Sequence, residues 1–229
     1  MSGLVRVFRS SVGAKALMAL TGLGLLGFVV AHMLGNLQIF AGPEKLNAYA
    51  ATLQHMGPGL WVARAGLLAL LLVHVGTAHH LVRANRAARP VPYAGKKDIA
   101  TTFAARTMWM TGIVVLAFVA YHLAHFTLHV MNPEFSQWQD AAQRHDVYRM
   151  VVEGFRVWWV SAIYCVAQFL LGVHISHGAS SAFQTLGVRH PRLAFLKHGF
   201  GPLVAIVIVL GNLSIPLAVL AGLVGKQGV

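Results

Sequence analysis

The sequence predicts an all-α integral membrane protein, a bundle of five transmembrane helices, and three observations lead there. Hydrophobic residues make up 57% of the 229-residue chain and charged ones only 10%, whereas a soluble domain carries about 25% charge; the mean hydropathy is +0.65. All six acids (Glu44, Asp98, Glu134, Asp140, Asp146 and Glu153) lie outside the apolar runs. Five runs are long enough to cross a bilayer core, which takes about 20 apolar residues: 16–40, 60–83, 106–130, 156–178 and 200–223. They are continuous rather than alternating, which argues against strands. The whole chain, 1–229, reads as a single membrane domain, with no soluble domain and no internal repeat in view.

The first run follows a basic start, "MSGLVRVFRSSVGAKALMAL". That start has the layout of a signal peptide, but the apolar stretch continues well past signal length without an evident small-residue cleavage site, so it reads as a retained span. Its "GLGLLG" at 22–27 would allow a close helix approach. Between spans one and two, "GPEKLNAYAATLQHM" opens with Pro43 in a first-turn position and sets Leu46, Tyr49, Leu53 and Met56 at helical spacing. "NPEFSQWQDAAQRHDVYRM" precedes span four in similar style. Both segments are expected to be short helices on the outer surface. The one cysteine, Cys165, sits inside span four and supports neither a disulfide framework nor an iron–sulfur or c-type haem attachment.

The net charge is +12. Its basic residues flank the spans, so topology and anionic lipid explain them better than nucleic acid does. The N-terminus and the second and fourth connections carry twelve Lys/Arg, among them Arg83, Arg86, Arg89, Lys96 and Lys97; the opposite side carries six. The positive-inside rule then places the N-terminus in the cytoplasm.

Histidines are the informative residues. There are 13, and spans one to four each hold at least one, although an imidazole in lipid costs free energy unless it is paired. At about 1.5 Å per residue, His32 in span one lies ~22 Å from the inner edge, and His122 in span three lies at nearly the same depth. His74 in span two is ~13 Å up, and His174 in span four is ~6–9 Å up. The four therefore sort into an outer level, His32 with His122, and an inner level, His74 with His174. Two neutral imidazoles at one depth on different helices can clamp a flat macrocycle between them, which is what bis-histidine ligation of haem iron requires. The expected arrangement is a five-helix bundle holding two b-type haems, their iron held by His32, His122, His74 and His174. His125, at i+3 from His122, is the competing outer ligand. His125 and His129 would share the His122 face and be haem-propionate contacts, quinone contacts or interfacial polar residues.

Taken in order, "RSSVGAKALMALTGL", "AHMLGNLQIFAGPEKLNAYA", "LLVHVGTAHHL", "NRAARPVPYA", "RTMWMTGIVVLAFVAYHLAHF" and "GVHISHGASSAFQTLG" resemble, over essentially the whole chain, the single-chain di-haem cytochrome b (b558-type) membrane anchor of succinate dehydrogenase and fumarate reductase. His32 four residues before Asn36, His122 ten after Gly112 and one after Tyr121, and His174 opening His174-Ile175-Ser176-His177-Gly178 fit that family's ligand positions, and His74 fits the span-two ligand. The resemblance implies pairing of spans one with three and two with four.

It further implies a subunit that binds a flavoprotein and an iron–sulfur protein on the cytoplasmic face of a bacterial inner membrane and passes electrons to a quinone, expected to be menaquinone. An outer quinone site is expected near His32 and His122, with Gln54, His55, His125 and His129 as possible lining. Ser10, Ser11, Arg106 and Trp109 are the expected propionate contacts of the inner haem. Some fumarate reductases of this type carry a glutamate two residues before the span-four ligand; here that position is Gly172, so a carboxylate route through span four is not expected. Two alternatives differ in a readable way. A cytochrome b of a hydrogenase or formate dehydrogenase has another histidine order and lacks "HGASSAFQTLG". A haem-free transporter with a histidine relay calls for intramembrane acids or broken helices.

Overall fold

A computed structural model describes residues 10–88, 101–188 and 190–225. Among them the chain is helical apart from short connections, and five helices are long and apolar enough to cross a membrane. In chain order the helices are α1 (Ser11–Asn36), α2 (Pro43–Gln54), α3 (Pro58–Ala87), α4 (Phe103–Phe126), α5 (Val147–Arg156), α6 (Trp158–Thr185), α7 (Ala194–His198) and α8 (Phe200–Leu220). The spanning set is α1, α3, α4, α6 and α8, with tight 3-10 turns at Leu37–Ala41, Pro133–Gln137 and Pro191–Leu193. Among the described residues no acid lies in a spanning helix. Of the basic positions expected at the inner face, Arg6, Arg9, Arg89, Lys96, Lys97 and Arg189 lie outside the described residues.

The ends have local causes. Ser10 caps α1 by accepting from the Gly13 amide at 3.0 Å, and Thr102 caps α4 through the Ala105 amide, each satisfying one of the orphan donors of a helix start. Pro43 and Pro58 stand in the first turns of α2 and α3, where no amide is needed. The span expected over 106–130 stops earlier. His129 takes φ +52° and the Val130 amide returns to the Ala124 carbonyl, a left-handed helix closure. His129 is therefore off the helix and does not continue the His122–His125 face. In the outer segment before α6, the helix begins only at Val147, because Asp146 caps it through the Arg149 amide and Asp140 ties the preceding turn to the Ala142 and Arg144 amides.

Packing is uneven. α6 is the hub: it packs on α8, α4 and α1, while α1 also carries α3. α3 and α4 are not a closely packed pair, and neither are α1 with α4 or α3 with α6. No residue in the most apolar stretch of α3 is buried by the protein, whereas α6 buries Val160, Tyr164, Ala167, Ile175 and Ala179. Small residues permit the α6–α8 approach. A Cβ on Gly172 would run into Val209 of α8, so a glutamate side chain has no room at this position without α8 moving. The Asn212 amide donates to Gln168 Oε1 across the same interface at 2.9 Å.

A polar clasp at the outer surface joins α2 to the α5 segment. Asn47 is buried and donates to Asp140 and Asp146 while accepting from the Tyr148 amide at 2.9 Å. Arg144 bridges Glu44 and Asp140. The hydrogen bond from Arg144 holds the Glu44 carboxyl below its usual range. Burial pushes Asp140 up, but the Arg144 side-chain and backbone hydrogen bonds outweigh it and leave Asp140 lowered as well.

Acids lowered in the folded state stabilise it above their unfolded pKa and cease to do so as pH falls through the folded value. Protection of the α2 amides, relative to the intrinsic exchange rate at each pH, should therefore be high at neutral pH and fall below the ordinary carboxylate range of about 4. In Arg144→Gln it should be low at neutral pH already, with little further acid response. Asn47→Ala leaves the Tyr148 amide unpaired and should destabilise by about 1–3 kcal/mol, read from the thermal unfolding midpoint.

Candidate functional site

Two histidine pairs cross the bundle. His32 of α1 faces His122 of α4 with ring centroids 5.8 Å apart and planes at 81°. His74 of α3 faces His174 of α6 at 6.5 Å and 71°. Each pair joins helices that do not pack closely on one another, so the rings meet across a gap. With metal–imidazole bonds of about 2.0 Å and a ring centre roughly 1 Å behind its nitrogen, two imidazoles on opposite faces of one metal have centroids about 6 Å apart. Both pairs match that span. Among the described residues no group of three or more His, Cys, Asp or Glu converges on one point. A metal that brings its own equatorial ligands in a macrocycle needs only two.

Each ring of the inner pair has a threonine hydroxyl beside one nitrogen. The Thr21 hydroxyl lies 3.3 Å from His74 Nδ1, and the Thr111 hydroxyl lies 3.2 Å from His174 Nδ1. Each threonine has one proton, and it is committed to the carbonyl four residues back, Leu17 at 2.8 Å and Thr107 at 3.0 Å. Towards histidine the hydroxyl oxygen can therefore only accept. The Met18 and Met108 backbone carbonyls also stand beside these rings as acceptors; with the proton on Nδ1, Nε2 is the lone-pair nitrogen of each ring.

The outer pair is framed by aromatics and a tyrosine. Phe28 stacks on His32 at 5.4 Å and Phe118 lies against His122 at 6.0 Å. The Tyr164 hydroxyl touches His122 Nδ1 at 3.3 Å and His125 Nδ1 at 3.1 Å. His125 is buried and engaged through Tyr164, so the ring meeting His32 is His122. The Asn36 amide reaches His32 Nε2 at 3.1 Å, and ligation through that nitrogen requires Asn36 to withdraw.

The remaining expected site residues scatter. Ser10 caps α1, Ser11 is the exposed first residue of that helix, and Arg106 lies in the first turn of α4, where it donates to the Thr101 carbonyl. Trp109 tilts against His79 at 6.0 Å. Gln54 and His55 close α2 and are exposed. His129 sits beside His145 and Phe135.

A cavity of about 500 Å³ opens next to the outer pair, and His125 lines it together with Tyr121, Trp138, Arg149, Glu153 and Trp159. The Tyr121 hydroxyl and Arg149 Nε are buried there without a hydrogen-bond partner, and the Arg149 guanidinium lies 4.4 Å over Trp138. Gln54, His55 and His129 are not part of its lining.

Thr21, Tyr164 and Arg149 were not singled out by the sequence reading, and Thr111 entered only through the Thr111-Gly112 step ten residues before His122, although a signal for both threonines was present. α1 and α4 repeat one pattern ninety residues apart: Met18, Thr21, Gly22, Leu26, Phe28, Val29 and His32 recur as Met108, Thr111, Gly112, Leu116, Phe118, Val119 and His122. α3 and α6 repeat Leu70-Leu71 and Val73-His74 as Leu170-Leu171 and Val173-His174. The expectation of no internal repeat is corrected here: α1–α3 and α4–α6 are two similar helix pairs, masked in sequence by the unequal segments between them. The chain matches no protein-family model, no curated protein and no solved structure.

Proposed function

We propose that this chain is a di-haem cytochrome b membrane anchor that carries electrons between subunits on its inner face, a flavoprotein and an iron–sulfur protein, and quinone in the membrane, as its resemblance to the succinate dehydrogenase and fumarate reductase anchors implies. The observation that carries the reading is the pair of cross-bundle histidine contacts, 5.8 and 6.5 Å, on five helices fit to span a membrane. When bound, haem supplies one-electron redox chemistry at iron. The protein holds the rings on opposite helices, fixes the inner tautomers through threonine and excludes water with the apolar bundle. The two levels are separated along α1 by the eleven residues from Thr21 to His32, about 16 Å of helix. Exposed Arg83 and Arg86 close the inner end of α3 and suit a soluble partner with an acidic face. The topology with the N-terminus in the cytoplasm of a bacterium belongs to the same proposal.

Quinone is assigned to the outer cavity. The aromatic lining of Trp138, Trp159 and Tyr121 suits a planar ring, and a carbonyl oxygen would supply the acceptor that Tyr121 and Arg149 lack. His125 and Tyr164 connect that cavity to His122. Of the residues expected to line a quinone site, this placement keeps His125 and leaves out Gln54, His55 and His129.

The first test is a reduced-minus-oxidised spectrum of the purified chain with extracted haem counted per polypeptide. Two b-type haems are expected. Alanine at His32 or His122 should remove one, alanine at His74 or His174 the other, and His125→Ala should keep both. A folded, haem-supplied preparation with no haem would falsify the reading. For the cavity, Tyr121→Phe combined with Arg149→Met should raise the quinone KM by at least roughly tenfold, the equivalent of about 1.4 kcal/mol. Gln54→Ala and His55→Ala should leave it unchanged; the reverse pattern would move the site.

A further inference from the structure

We infer that Thr21 and Thr111 are positioning residues for the inner histidine pair, each fixing the tautomer and raising the electron-donor strength of a ligand on the neighbouring helix. The inference rests on the haem reading above and goes beyond it: the Thr111-Gly112 step belongs to the spacing that precedes His122 in the resemblance, but that spacing gives neither threonine a role towards a histidine of another helix.

The two contacts are copies of one another. In α1 the Thr21 hydroxyl is buried, donates to the Leu17 carbonyl at 2.8 Å with the Met18 carbonyl at 3.2 Å, and lies 3.3 Å from His74 Nδ1. In α4 the Thr111 hydroxyl is buried, donates to the Thr107 carbonyl at 3.0 Å with the Met108 carbonyl at 3.2 Å, and lies 3.2 Å from His174 Nδ1. The next residue is glycine in both. A Cβ on Gly22 would stand 3.1 Å from His74 Cε1, and one on Gly112 would stand 3.4 Å from His174 Cε1. The missing side chain lets the imidazole lie against the helix wall, where the hydroxyl can reach it. A Thr-Gly step is thus a two-residue cradle, with one residue for the nitrogen and one for the ring edge.

The repeat explains why there are two cradles. Each half of the bundle supplies one, α1 to α3 and α4 to α6, and each cradle helix carries an outer-level histidine eleven residues further along. The outer pair is held differently: the Tyr164 hydroxyl is shared between His122 Nδ1 and His125 Nδ1, and the Asn36 amide meets His32 Nε2. An acceptor on Nδ1–H increases imidazole basicity and favours the more positive metal. Removing it should make the inner iron easier to reduce and leave the outer iron unmoved.

The experiment uses the full chain in membranes with Thr21→Val, Thr111→Val, the double variant, and Thr→Ser at each position. Haem per chain, midpoint potentials by optical redox titration and the low-spin ferric resonance signals are read. The inner component is the one lost in His174→Ala. The expected result is two haems in each single Val variant, an upward shift of the inner potential with an altered inner resonance, a larger shift in the double variant, and recovery in the Ser variants. Loss of only the inner haem in Val variants with retention in Ser variants carries the same meaning, since the hydroxyl is what differs. Unchanged potentials and resonances in the Val variants would overturn the inference, with threonine acting only within its own helix. Equal loss of the inner haem in Val and Ser variants would overturn it too, because the methyl group would then be what matters. A wild-type chain without haem would instead remove the functional reading and is told apart by the haem count alone.

Discussion

Everything in this bundle depends on a polar ring having a partner where no water is available. An imidazole in the middle of a membrane must give its N–H to an acceptor and its lone pair to a donor, or the helix that carries it is costly to keep in place. The chain solves half of that problem with its own groups. Threonines that have already spent their protons on backbone carbonyls take the inner N–H groups, and a tyrosine hydroxyl is shared by His122 and His125. The other half, the second ring nitrogens of His74 and His174, is left for the facing ring of the pair, 6.5 Å away between centroids. Under the proposed haem reading a single metal would serve both rings, and the loose packing between α3 and α6 leaves room for it.

The membrane character was legible because length and apolarity are local properties. A run such as 60–83 needs no knowledge of its neighbours to become α3, and the structure extends it only to Pro58–Ala87. The ends were less legible, because caps are decided by single hydrogen bonds. Nothing in "HFTLHVMNP" announces that His129 turns left-handed and cuts the expected 106–130 span at Phe126. Likewise the surface segment before α6 looked helical throughout, yet Asp140 and Asp146 use their carboxylates to organise a turn first.

The site divides in the same way. Depth along a helix follows from residue count, so His32 could be set level with His122, and the structure brings those two rings within contact distance. Azimuth and neighbour identity do not follow from count. Thr21 is one of several hydroxyl residues in apolar runs, and only the α1–α3 packing shows that it lies against His74 rather than lipid. Arg149 and Tyr121 are 28 residues apart and meet at a cavity through the fold alone. Gln54 and His55, near the outer level by depth, end on an exposed helix tip. The repeat could have been read, but its two copies share a spacing rather than a contiguous word, and a search for words passes over it.

α8 carries no ligand, and its role follows from what the ligand helices lack. α6 brings His174 to the inner level and Tyr164 to the outer one, so its placement decides both levels. α8 presses on the opposite face of α6 at Gly172 and through the Asn212–Gln168 hydrogen bond, and it buries Ala205 and Ile208 in the cluster that holds Met33 of α1 and Ile175 of α6. α1 and α6 are thereby fixed against each other by ordinary packing, and α3 and α4 hang from them, one on each side. Only these two hanging helices have almost no buried face of their own, and they are the two whose histidines reach across to the fixed pair. A rigid centre with two lightly held arms leaves α3 and α4 free to adjust to whatever joins their histidines to the fixed pair, a freedom that a fully packed bundle would lack.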